Sequence, residues 1–133
     1  MGATAGFFVF LTLTLAALGA TVATGLGARL RLHFACVASS LALLGVTIYF
    51  AEKLGAEYDL EAAGWITPVH LTLAKMATAS YLLPLASGLA TLRERRRRRV
   101  HLALALTTLA LTLAAAASGA AMILHSQPLA APV

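Results

Sequence analysis

Eight of the ten basic residues stand in two short stretches, Arg29 with Arg31 and Arg93 with Arg95 to Arg99. Four of the five acids stand in a third stretch, Glu52 to Glu61. Long apolar runs separate these islands, so the chain reads as a polytopic membrane protein. Short loops rich in Lys and Arg stay on the cytoplasmic side, and the acidic stretch is left to the other. Eight basic residues less Glu94 give +7 inside, and Lys53 against four acids gives −3 outside. Both termini are then expected outside, with two basic hairpin loops inside. Hydrophobic residues form 60% of the 133-residue chain and charged ones 11%, which a soluble domain of this size could neither bury nor keep in solution.

The basic pI of about 10.2 would otherwise suggest nucleic acid. Because the positive charge is confined to loops flanking apolar runs, topology and membrane lipid explain it, and no nucleic-acid partner is expected. The runs fall at about 4–25, 32–51, 66–92 and 100–124. Each approaches the roughly 20 residues a helix needs to cross the hydrocarbon core. The expected fold is all-α: an integral membrane up-down four-helix bundle, residues 1–133 forming one transmembrane domain. The segment ahead of Phe7 carries no basic residue, which favours a retained first helix over a signal peptide. Residues 127–133 read as a short extended Pro/Ala tail.

Gly25 and Gly27 mark the end of the first run, Thr67-Pro68 the start of the third, and Pro84 a bend within it. Small residues at Ala16/Ala20, Gly19/Ala23, Ala110/Ala114/Ser118 and Ala115/Gly119 are expected at helix contacts, since lipid tails are as apolar as leucine and close packing must hold the helices together. Thr12, Thr14, Thr21 and Thr24 can satisfy themselves on their own backbone carbonyls.

The second and fourth runs open with the same arrangement, Arg31-Leu32-His33 and Arg99-Val100-His101. In an up-down bundle this puts two imidazoles at one depth on diagonal helices, the geometry in which membrane cytochromes hold haem b by two axial ligands. Nearby arginines would offset its propionates. The plainer reading is that each histidine marks the membrane interface beside its arginines. At the outer boundary His70 and His125, with Met122 one turn before His125, form a second candidate pair for iron or copper(I). Lys75 is the one charge well inside a run, suited to an acid of the Glu57 to Glu61 stretch or of a partner subunit, or to a haem propionate or quinone oxygen. No phosphate loop, no Cys-x-x-Cys-His attachment and no nucleophile-base pair is present, so no enzymatic activity is expected.

From Arg29 to Leu124, Leu32-His33, Gly64-Trp65-Ile66-Thr67-Pro68-Val69, Pro84-Leu85, the Arg-rich loop ending in His101, and Ser118-Gly119 with Ile123-Leu124 resemble the CtaM/YozB-like membrane family. The resemblance implies a small protein associated with making or maturing haem-copper terminal oxidases. His33 and His101 match two histidine positions of the family motif. The family's further histidines fall here in the Phe50/Ala51 and Met76/Ala77 regions, with His70 and His125 as candidate relocated replacements. The expected function is a respiratory-chain accessory or assembly protein of a bacterial-type inner (plasma) membrane, attached to a larger membrane complex and binding haem b through His33 and His101. The alternative is a cofactor-free structural subunit of an electron-transfer complex. A small transporter or channel subunit around Lys75 is the weakest of the readings.

Overall fold

A computed structural model describes residues 2–129. The order is α1 (Ala3–Leu26), α2 (Leu30–Gly55), β1 (Tyr58–Asp59), a 3-10 turn (Leu60–Ala63), α3 (Ile66–Ser80), α4 (Leu82–Arg93), a second 3-10 turn (Arg95–Arg97), α5 (Arg98–His125) and β2 (Gln127–Pro128). The protein is all-α apart from the two-residue strands, which pair in a small sheet. Gln127 and Pro128 of the expected tail are thus paired backbone; residues 130–133 lie outside those described. Three helices, Ala3–Leu26, Leu30–Gly55 and the segment Arg95–His125, are long and apolar enough to cross a membrane.

The chain divides into two compact units, Met1–Tyr58 with Leu129–Val133, and Asp59–Pro128. The first is the antiparallel hairpin of α1 and α2. Its turn is tight: Arg29 N–H donates to Thr24 O at 3.1 Å and Ala28 N–H to Gly25 O at 3.3 Å, the paired bonds that close a helix C-terminus. The left-handed position of that motif is filled by Ala28, at φ 54°, and not by Gly27. An L-residue there costs about 1 kcal/mol, which the hairpin tolerates because both otherwise orphaned carbonyls gain donors.

What holds this hairpin together is a seam of hydroxyls. Thr14 Oγ1 lies 2.8 Å from Thr47 Oγ1, and Thr21 Oγ1 lies 3.1 Å from Ser40 Oγ. Each hydroxyl also lies within 2.8 Å of its own helix carbonyl four residues back. A hydroxyl has one proton, so in each pair one member donates along its helix and the other across to its partner. Thr12 and Thr24 likewise donate to Phe8 O and Ala20 O, as anticipated for the threonines of this helix. Leu18 and Leu54 are the buried apolar side chains of the unit. The expected small stripe of Ala16, Gly19, Ala20 and Ala23 lies on the opposite, exposed face, because the hydroxyls and Leu18 take the contact.

The second unit is the hairpin of α3–α4 with α5. Tyr81 keeps helical dihedrals, φ −61° and ψ −25°, so α3 runs into α4 with a lapse in hydrogen bonding and not a turn of the chain. The lapse has a cause. Pro84 has no N–H, leaving Ser80 O without its helical donor, and Thr108 Oγ1 of α5 donates to that oxygen at 3.2 Å. Tyr81 Oη, one residue on, lies 3.0 Å from Thr112 Oγ1. Ahead of α3, Gly64 adopts φ 60° and ψ −128°, a backbone conformation closed to side-chain-bearing residues. Thr67 Oγ1 donates back to Leu60 O and fastens the helix start to the 3-10 turn. Pro68 in the first turn of α3 sacrifices no helical donor.

Candidate histidine sites

His33 stands on the first turn of α2, directly across the hairpin from the end of α1. Its Nδ1 lies 2.9 Å from Thr21 O, and a carbonyl can only accept, so Nδ1 carries the proton. The Cε1–Nδ1 edge of the ring lies against Gly25: a Cβ at that position would sit 3.0 Å from His33 Cε1. His101 repeats this in the other unit. Its Nδ1 lies 3.1 Å from Ser87 Oγ on α4, and that hydroxyl also lies 3.3 Å from Pro84 O. A Cβ on Gly88 would sit 3.2 Å from His101 Cε1. The Arg-x-His echo in the sequence is therefore an echo of packing. Each imidazole is half-buried, held by an oxygen of the preceding helix and laid against a glycine there.

His70 follows the same rule from the opposite direction. Its Nδ1 is 3.1 Å from Ala115 O and 3.1 Å from Ser118 Oγ, and Gly119 is buried beneath its ring, where a Cβ would come within 2.7 Å of Cε1. Of the small residues expected at contacts on α5, Ala115, Ser118 and Gly119 meet α3, while Ala110 and Ala114 are exposed. His125 differs. It is exposed, and its Nδ1 turns back to Ala121 O of its own helix at 2.8 Å. Met122, one turn earlier, is buried. Among the described residues no group of three or more His, Cys, Asp and Glu gathers as a metal cage.

His33, His70 and His125 thus share one tautomer, with Nδ1 protonated toward a carbonyl and the ring's lone pair on Nε2, while His101 meets a hydroxyl that can donate or accept. Nε2 is the nitrogen that axial histidines offer to haem iron, and an Nδ1–H bond to a carbonyl or hydroxyl is the outer-shell contact that orients such a ligand. Of the four, His33 and His101 combine an Nδ1 contact to the preceding helix with a glycine-backed ring at a helix start beside arginines.

The fourth glycine–ring contact was not legible in advance. Gly6 of α1 lies against the ring of Phe50 on α2, which also stacks on Phe10 with centroids 5.4 Å apart. Lys75 is exposed on α3, and among the described residues its side chain makes no ion pair and no hydrogen bond. The sole cysteine, Cys36, is half-buried one turn beyond His33, with its carbonyl accepting from Ser40. No protein-family model, curated protein or solved structure matches the chain.

Proposed function

We propose that this is a four-span membrane protein that serves a respiratory electron-transfer chain as an accessory or assembly factor and binds haem b through His33 and His101. The observation that carries the reading is the shared setting of the two histidines: Nδ1 held by an oxygen of the preceding helix, the ring against Gly25 or Gly88, and arginines beside each helix start. Haem b, when bound, supplies a one-electron redox couple. The protein's own part is to fix both rings and to offer arginines for carboxylates. The resemblance to the CtaM/YozB-like family points the same way.

The purified protein is expected to show a low-spin Soret band that His33→Ala and His101→Ala each abolish and His125→Ala leaves intact. A folded, colourless protein keeping both histidines gives the place to the second reading, a cofactor-free structural subunit. That reading draws on the open faces of the first unit, where nothing lies within 4 Å of a Cβ built on Gly19 or Gly45.

The membrane arrangement is part of the proposal: a bacterial-type plasma membrane, α3–α4 as a span alongside the three long apolar helices, both termini and the Glu52 to Glu61 stretch outside, and the arginine turns in the cytoplasm. In intact cells a membrane-impermeant thiol reagent should modify a cysteine placed at Asp59 and spare one at Arg97, in a Cys36→Ser background. Labelling in the reverse order would invert the topology.

A further inference from the structure

The turn of the first hairpin carries two arginines, Arg29 and Arg31, whereas that of the second carries six, Arg93 and Arg95 to Arg99. Six cations less Glu94 leave +5 on seven residues. Lys and Arg serve membrane topology alike, yet none of the six is a lysine. Charges packed this closely repel one another, and α5 begins here without an acid in its first turn to offset them. The strain is relieved by anions.

The chain's own side-chain acids do not supply them. Glu94 is taken by Arg97, 2.7 Å away, while Arg93, Arg95 and Arg96 are exposed and make no ion pair or side-chain hydrogen bond among the described residues. Asp59 and Glu61 belong to the turn that Thr67 fastens to the start of α3, and α5, antiparallel to α3 through His70 and Ala115, runs about 40 Å from that end to Arg98. Glu52 and Glu57 precede Asp59 by seven residues and two, a reach of at most about 25 Å wherever the first unit sits. The residues that bracket the turn are apolar: Leu92 is 52% exposed and Val100 57%. The arginines thus stand at the border of the apolar helices, which in a bilayer is the level of the lipid phosphates.

Resting on the reading of α4 and α5 as parts of membrane spans, we propose that Arg93, Arg95 and Arg96 bind the phosphate of an anionic phospholipid, of which phosphatidylglycerol is the simplest. At most about 11 Å separates the Cα atoms of Arg93 and Arg96, so their stems can converge on one headgroup. Guanidinium forks hold phosphate oxygens two at a time, which an ammonium does not. Arg98 and Arg99, on α5 beside His101, remain for the haem carboxylates.

The test uses the full chain in phosphatidylcholine vesicles with Trp65→Phe and Leu92→Trp, which moves the one indole beside the arginines. Brominated phosphatidylglycerol should quench its fluorescence at about one-tenth the mole fraction required of brominated phosphatidylcholine. Gln at positions 93, 95 and 96 together should erase the difference, and Lys at all three should shrink it severalfold. A preference that survives the three glutamines, or that the three lysines keep in full, overturns the proposal. So does an equal preference seen by Trp65 in the unaltered chain, since Trp65 lies just ahead of α3, at the far end from the arginines. Displacement of phosphatidylglycerol by a single-stranded oligonucleotide at physiological ionic strength overturns it in favour of a nucleic-acid surface. The same traces keep the underlying reading distinct. Equal quenching by the two brominated lipids removes the lipid site and leaves the span, whereas quenching by neither removes the span and the lipid site with it.

Discussion

Gly119→Leu is expected to destabilise the second hairpin severely. A side chain at that position would start 2.7 Å from His70 Cε1, closer than carbon atoms approach without one of them moving. The ring cannot withdraw without giving up its bonds to Ala115 O and Ser118 Oγ, which leaves a half-buried Nδ1–H without an acceptor. Overpacking costs about 1–3 kcal/mol, and the lost hydrogen bonding adds on the order of 1 kcal/mol more. Equilibrium unfolding in mixed micelles measures the sum, and Gly119→Ala should fall between Leu and the wild type. Combining Gly119→Leu with His70→Ala should restore part of the loss, because the smaller residue vacates the space the larger one claims. Stability equal to wild type for Gly119→Leu alone would mean that the ring does not rest on this glycine.

The second large effect is expected at Thr108. Val at this position keeps the shape and removes the cross-helix donor to Ser80 O, the carbonyl that Pro84 leaves unserved. A buried carbonyl stripped of its donor costs about 1–3 kcal/mol, toward the lower end where a membrane lets the unfolded state find other partners. Pro84→Ala supplies an N–H to the same oxygen from within the helix. The double variant should therefore show the Thr108→Val penalty shrinking to near zero, a coupling that a simple packing defect would not produce. A penalty of the same size in both backgrounds would assign Thr108 to packing alone. The cycle also reports how a proline is accommodated within a helical hairpin by a hydroxyl of the facing helix.

The all-α character and the positions of the helices were open to sequence reasoning because bilayer-length apolar runs leave the backbone no other way to satisfy itself. The ends were less so. The α2 helix continues through Glu52 and Lys53 to Gly55, since charges are tolerated once a helix reaches an interface, and Lys53 rests over the Tyr49 ring at 4.8 Å. Pro84 was correctly suspected of disturbing the third run, yet the compensating Thr108 lies 24 residues away and no local rule connects them. The packing around the candidate histidines was legible in part for a similar reason. His33 and His101 stood out by their arginine neighbours, whereas Gly25, Gly88 and Gly119 became meaningful only with the rotational phase of the facing helices. That phase decides as well why Ala16, Gly19 and Ala20 turn outward. Hydroxyls that bond across the seam outbid small side chains that could merely approach.

Glycines set under rings near both ends of each hairpin also determine how the protein can move. In the first unit Gly6 meets Phe50 at one end and Gly25 meets His33 at the other; in the second, Gly88 meets His101 and Gly119 meets His70. Sliding one helix past its neighbour by a single residue would bring a Cβ under two rings at once, and a rotation about either axis would do the same. Such a pair behaves as a keyed joint, free to tilt as a body and barred from shear. Piston-like or screw-like strokes within a hairpin would each have to lift a ring off its glycine.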